Sequence, residues 1–439
     1  MMLPRPLRHH LARALPVPAL FLTLCLTSSG QTSFSSNPTR FVVCDKGVGS
    51  FRGKLPDFSS RSGVIVSVAA KKGKIKGFAI RSCEAKLTWG RHDEILIAPQ
   101  AAQVDIDVMG ADLGLGTPVV AFQIRTTAAD PGVRYEIYSL NKPPKLLRTI
   151  TGQDFFSAAD TRLDGSVEIW TTDSAAVNGF ENLPLRAFDS PPPVVLRFED
   201  EKLMDVSSEF QSYFDDQIRA LRSDLGERQL SNFRNSDGKL SAEHLQGNDE
   251  PRGLLATKIK VLEIVWCYLS SGREQKAWDA LADMWPPSDV DRIRAAISKA
   301  ATQGMRTQVD GVSHLTAPAS SRRSNIYDTT SSFGGYGKDT WERTKLADTG
   351  PEQILLRLPS PNDPQHWDQQ RQVELVIDEA GKVRSVRMQG GIVKDVSAAW
   401  KDEPNQDWID TAPGWKYIPA FKDGHPIAFR SKLDLRRDQ

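Results

Sequence analysis

Histidine side chains are the first candidates for chemistry in this chain. Five histidines follow residue 30: His92, His244, His314, His366 and His425. They lie in separate segments and lack the short spacing that two zinc ligands on one helix or strand need. The sequence also contains no Gly-x-Ser-x-Gly elbow and no phosphate-binding glycine loop. We therefore predict a protein that is not an enzyme, with no catalytic, cofactor-binding or metal-binding residues.

Carboxylates are the second candidates. Asp105 and Asp107 lie in an alternating strand pattern, which predicts a charged solvent face rather than an acid/base pair. Residues 154–170 resemble one FG-GAP repeat, a family in which aspartates bind calcium. Arg162 occupies the middle acidic position, so a turn capped by Asp160 is favoured over a calcium loop.

The cysteines and the N-terminus both indicate export. Residues 1–30 combine a basic start, a short apolar run and small residues at the end, which predicts a cleaved signal peptide and a periplasmic or secreted protein. In an oxidising compartment Cys44 and Cys83 are expected to form a disulfide bond, while Cys267 lies in an apolar helix as a free thiol. Two unpaired buried thiols are the alternative for the first pair.

Composition limits the partners. The 56 Lys and Arg residues balance 55 Asp and Glu, for a net charge of +1, so we expect no nucleic-acid partner. The apolar run of the signal is too short for a comfortable membrane span, and we expect no transmembrane segment after cleavage.

Local patterns divide the rest of the chain into several domains, so we predict a multidomain protein. Short β-branched runs predict an N-terminal all-β domain over 38–200, and three-and-four apolar spacing predicts a small helical bundle over 201–304. Within the bundle, residues 254–286 resemble one tetratricopeptide helical pair. Polar, glycine-rich and serine-rich composition predicts a flexible linker over 305–350. Residues 351–439, called the C-terminal module below, form the last domain.

Two hairpins are predicted in the C-terminal module. The first joins Val373–Ile377 to Val383–Met388, with Gly381 at a left-handed turn position, and the second turns at Gly424. The final strand alternates through Ile427, Phe429, Ser431, Leu433 and Leu435.

The order of these parts resembles the C-terminal domain of TonB. Val373 to Val383 corresponds to the first hairpin of that family, Trp415 to Ala420 to its W-x-hydrophobic-x-P-A segment, and Gly424 to Ile427 to its turn. The motif residues are Trp415, Tyr417, Pro419, Gly424 and Pro426. Pro404 interrupts the helix expected between these parts, so a shorter helix over 405–411 is predicted.

The resemblance implies a small α+β domain with a three-stranded antiparallel sheet that folds alone. It also implies that the final strand binds another envelope protein by strand addition. Two alternatives stay open. The module could instead pack only internally in a structural or ligand-holding secreted protein, or the chain could be part of an energy transducer.

Overall fold

Short, β-branched segments in the N-terminal half form two antiparallel sheets. The structure is a computed structural model that describes residues 43–45, 58–75, 78–126, 132–152, 154–241, 243, 249–313, 326–328, 348–355, 371–388, 394–395 and 411–435. The first strands in chain order are β1 (Cys44–Asp45), β2 (Phe58–Ser59), β3 (Ile65–Ile75), β4 (Phe78–Thr88), β5 (Glu94–Ala101), β6 (Gln103–Ala111), β7 (Val119–Arg125), β8 (Val133–Ser139) and β9 (Leu146–Gly152). One sheet has the order β2-β3-β4-β5 and the other β1-β6-β7-β8-β9.

A third sheet follows and crosses two of the expected domain boundaries. Its strands are β10 (Ser157–Ala159), β11 (Glu168–Thr172), β12 (Pro193–Glu199), β13 (Lys202–Asp205) and β14 (Gly311–Val312), in that order. The expected boundary at residue 200 falls in the turn between β12 and β13, which pair antiparallel. Strand β14 comes from the segment expected to be a flexible linker and pairs parallel with β13.

The central helices pack on this third sheet. After the single turn α1 (Ser174–Val177), the helices are α2 (Gln211–Ser223), α3 (Glu227–Arg234), α4 (Asp249–Ser270), α5 (Glu274–Met284) and α6 (Val290–Ala301). Trp170 of β11 and Val195 of β12 belong to the same apolar cluster as the helices. Helices thus occupy the segment for which they were predicted, but they share their core with the strands before them.

The C-terminal strands form one larger sheet and two short pairs. They are β15 (Tyr327–Asp328), β16 (Glu352–Leu355), β17 (Arg371–Ile377), β18 (Val383–Met388), β19 (Lys394–Asp395), β20 (Lys416–Ile418), β21 (Ala420–Lys422), β22 (His425–Ile427) and β23 (Phe429–Leu435). The larger sheet has the order β15-β23-β17-β18-β19, while β16 pairs with β20 and β21 with β22. Strands β18, β17 and β23 pair antiparallel, and two-residue strands extend them on both sides, so the sheet has five strands where three were predicted.

Both predicted turns are present. Gly381 has a φ of +78° between β17 and β18, and Asp423 and Gly424 have φ values of 50° and 87° between β21 and β22. Gly381 is also sterically required, because a Cβ atom there would lie 1.8 Å from the carbonyl oxygen of Tyr417.

The expectations for the final strand, the signal peptide, the shorter helix and a membrane span have different outcomes. The final strand is divided, because Ile427 belongs to β22 and Ala428 separates it from β23. The predicted signal peptide, and the shorter helix up to residue 410, lie outside the described residues. Among the residues that the structure describes, no helix is both long enough and apolar enough to cross a membrane.

The C-terminal module shares its cores with the N-terminal sheets, contrary to the expectation of an autonomous domain. Ile354, Ile418 and Phe421 join the apolar cluster built on β6 and β7, and Ala380 joins the cluster between the second and third sheets. The described residues between 43 and 435 accordingly belong to one compact unit.

Candidate functional site

The two N-terminal cysteines lie together as the sequence predicts. Their Sγ atoms are 2.08 Å apart, the distance of a disulfide bond, and they connect β1 to β4. Cys267 is a buried free cysteine on α4. The pairing attaches the first described strand to the neighbouring sheet.

Strand β6 carries two buried carboxylates, which corrects the expectation of a solvent face. Asp105 is 2% exposed and Asp107 is 3% exposed. The opposite face of β6 packs Val104 and Ile106 into the apolar core. Strand alternation distinguishes two faces but does not tell whether the polar face meets water or another part of the chain. Here the C-terminal module covers it.

Asp107 is held by groups from three elements. Its Oδ1 atom lies 2.6 Å from Lys382 Nζ, which also donates to the Asp107 carbonyl oxygen at 2.7 Å. Its Oδ2 atom accepts hydrogen bonds from the Tyr135 hydroxyl at 2.7 Å and from the Ala158 main-chain N–H at 2.8 Å. Lys382, Tyr135 and Ala158 lie in three different strands or turns, so Asp107 connects the second sheet, the third sheet and the module.

Asp105 forms the second ion pair with the module. Lys416 Nζ contacts its Oδ2 atom, and the Val43 main-chain N–H donates to Oδ1 at 3.2 Å. Burial raises the pKa of Asp105 and lowers the pKa of Lys416. Both shifts have the direction expected when removal from water disfavours charge. The pair is therefore costly to bury and depends on close contact between its two partners.

A main-chain bridge holds the two lysines of the module next to each other. Lys382 and Lys416 face one another across an antiparallel bridge, and the Tyr417 N–H donates to the Gly381 carbonyl oxygen at 3.0 Å. Their ammonium groups meet carboxylates two residues apart on β6, which project from the same face of that strand. Two matched pairs fix the module's register against β6.

The turn before Lys382 forms a third contact with the N-terminal sheets. Asp378 is fully buried, and its carboxyl accepts hydrogen bonds from the N–H groups of Ala380 and Lys382 in its own turn. It also accepts one from the N–H of Asp160 at 3.0 Å. Burial raises the pKa of Asp378 to about 7, against the opposing effect of Arg384.

Asp160 belongs to the FG-GAP-like segment and caps its turn as favoured from the sequence. Its carboxylate accepts hydrogen bonds from the N–H groups of Asp164 and Gly165, and Gly165 has a φ of +87°. Arg162 forms an ion pair with Asp164 at 3.0 Å. The described residues contain no group of three or more potential metal-binding side chains. In this protein the segment contacts the Asp378 turn through the hydrogen bond from the Asp160 N–H.

Asp378 gives a pH prediction. The folded carboxyl keeps its proton up to about pH 7, whereas the carboxyl of the unfolded chain ionises near pH 4. The stability that this proton contributes is therefore complete below about pH 4, decreases as the pH rises above 4, and is gone once the pH has passed about 7. We expect a total loss of about 4 kcal/mol from this group. Urea unfolding between pH 4.5 and 8 should show a flatter profile for Asp378→Asn than for the unchanged protein. Identical pH slopes for the two proteins would contradict the assignment; Glu168, whose pKa burial also raises to about 7, contributes equally to both.

The predicted partner-binding strand already has pairing partners within the chain. Ile427 pairs with Ala420 within the β21–β22 hairpin. Phe429 and its neighbour Arg430 pair with β15 on one side, and the whole of β23 pairs with β17 on the other. The predicted strand residues Ser431, Leu433 and Leu435 follow beyond the β15 pairing.

The predicted motif residues have structural roles. Trp415 is fully buried in the module's own apolar cluster with Tyr417, whereas Phe429 lies in a separate small cluster with Ala420. Gly424 is in the second turn, and Pro426 pairs opposite Phe421. Pro419 separates β20 from β21.

Sequence reasoning did not identify Asp105, Asp107, Lys382 and Lys416 as a cluster. The pattern that was present, carboxylates at i and i+2 on one strand, is equally typical of a strand face in water, so it does not identify the cluster. Comparison with family models, with curated proteins and with solved structures finds no match to this chain.

Proposed function

We propose that the chain is an exported, non-enzymatic cell-envelope protein with a structural or ligand-holding function. In this proposal the TonB C-terminal-like module acts as a docked part of the molecule. The two buried ion pairs between β6 and the module, Asp105 with Lys416 and Asp107 with Lys382, are the observation that carries it. The signal-like N-terminus and the paired cysteines support export.

Apolar packing supports permanent docking beside the ion pairs. Separation of the module would expose Ile354, Ile418 and Phe421, each less than 10% exposed in the structure. Full burial of such side chains contributes about 1.5 to 3 kcal/mol each. The ion pairs add specificity of register rather than net attraction, because their desolvation offsets much of their Coulomb energy.

One observation favours strand addition as a second candidate function. Within the described residues, strand β15 pairs with β23 at Tyr327 and Asp328, at the first two positions of β23. An extended segment of another envelope protein that replaced β15 could pair along more of β23 and gain main-chain hydrogen bonds. The partner would then compete with this chain's own segment.

Amide hydrogen exchange on the intact protein distinguishes the two functions. If the module is permanently docked, the amides of β20 should exchange as slowly as those of β6, because both open only with the shared core. Rapid exchange in β20 alongside slow exchange in β6 would overturn the proposal. Rapid exchange confined to β15 and the start of β23, with β20 protected, would favour strand addition instead.

A further inference from the structure

A cavity lies where the module meets the N-terminal sheets. It has a volume of about 180 Å³. Its deeper wall combines residues of the N-terminal sheets with residues of the module, and all of them are buried: Met109, Gly110, Leu140, Ile418, Pro419 and Phe421. The module supplies the last three of these, so the cavity exists only in the docked arrangement.

The chemistry of the walls selects an uncharged occupant. Each deep side chain is apolar, and the charged residues that line the cavity, Arg61 and Glu352, are both exposed at its mouth. A charged group placed in the deep part would lose its hydration without an opposite charge nearby. The mouth also carries polar side chains, among them Ser60 and Asn141, which can bind an oxygen atom.

Gly110 and Arg61 shape the two ends of the cavity. Gly110 has a φ of +85°, and a Cβ atom there would lie 3.1 Å from Phe421 Cζ, so glycine lets the aromatic ring approach β6. At the mouth the Arg61 guanidinium lies over the same ring, 5.1 Å from its centroid. This contact places hydrogen-bond donors beside an apolar wall.

We propose that this cavity binds a compact neutral molecule with an apolar ring or branched chain and one hydroxyl or carbonyl oxygen. The apolar part lies against Leu140, Ile418 and Phe421, and the oxygen lies at the mouth near Arg61. An apolar cavity of about 150 Å³ is large enough for benzene, so a ligand of roughly six to ten non-hydrogen atoms fits. This inference rests on the proposed function, because only the docked module closes the cavity.

The test uses the intact protein with p-cresol and 3-methylbutan-1-ol as probes, measured by calorimetry and ligand-observed NMR. We expect saturable binding of both probes and at least a tenfold weaker binding of terephthalate and p-xylylenediamine, because each carries a charge at both ends and would have to place one of them in the deep apolar part. Leu140→Phe fills the cavity and Thr349→Trp covers its mouth, and each should weaken p-cresol binding at least tenfold. Lys276→Trp, at an exposed position of α5, is the matched control and should bind p-cresol as the unchanged protein does.

Leu140→Ala keeps the inference testable if Leu140→Phe does not fold. The smaller side chain enlarges the cavity, so affinity should shift from p-cresol towards 2-naphthol. Absence of saturable binding by both neutral probes, or equal p-cresol affinity in the Leu140 variants and the unchanged protein, would overturn the inference. If β20 remains protected from exchange while no probe binds, only the ligand assignment fails. Rapid exchange of β20 would instead remove the proposed function itself.

Discussion

Lys416→Met is expected to reduce the free energy of unfolding by about 3 to 5 kcal/mol. The change leaves the Asp105 carboxylate buried without its ammonium partner, and the remaining donors, from Val43 and Gln123, lie at 3.2 and 3.4 Å. Burial without a partner costs more than the ion pair contributes, because the charge has lost its water. Urea unfolding of the intact chain measures the effect.

The double variant Asp105→Leu/Lys416→Met separates charge from packing. Removing both charges should restore most of the lost stability, since apolar replacements of a buried pair are often neutral or stabilising. Lys422→Met is the matched control, because Lys422 pairs with Asp348 at the surface and its loss should change stability little. If the single and the double variants were equally unstable, the buried charge would not be the cause.

Trp415→Ala should cost about 3 to 5 kcal/mol as a second large effect. The indole is fully buried beneath the β17–β18 hairpin, in a cluster with Val373, Leu375 and Val386. Truncation to alanine leaves a void that the surrounding strands fill only in part. The midpoint of urea unfolding reports the loss.

Trp415→Phe is the control for this site. It keeps an aromatic ring in the cluster and should cost clearly less than the alanine variant. A loss below about 1 kcal/mol for Trp415→Ala would show that the cluster contributes little to the free energy of unfolding.

Local turn chemistry explains which parts of the fold could be predicted from the sequence. The β17–β18 hairpin and the turn at Gly424 depend on residues a few positions apart, and both have the predicted glycine with positive φ. The capped turn at Asp160 was predictable for the same reason. In each case the interacting groups lie within the window that a sequence pattern covers.

Long-range pairing explains what could not be predicted. The partners of Asp107 and Asp105 on the module lie 275 and 311 residues away along the chain. Nothing in the local pattern of β6 distinguishes a face covered by lysines from one covered by water. The short strands β14 and β15 lie in the segment predicted to be a flexible linker. They were not predicted for a related reason, because two paired residues inside polar sequence give no periodic signal.

The distance between β6 and its lysine partners also has a consequence for the order of folding. During synthesis, which starts at the N-terminus, the chain contains Asp105 and Asp107 long before Lys382 and Lys416 are made and can pair with them. Contacts of such high sequence separation form late, because closing the loop costs entropy before any contact compensates for it. Until then the carboxylates keep that face of β6 hydrated, and negative charge at an unfinished surface opposes association with other unfinished chains. Carboxylates that are costly to bury at the end of folding thus oppose association during it.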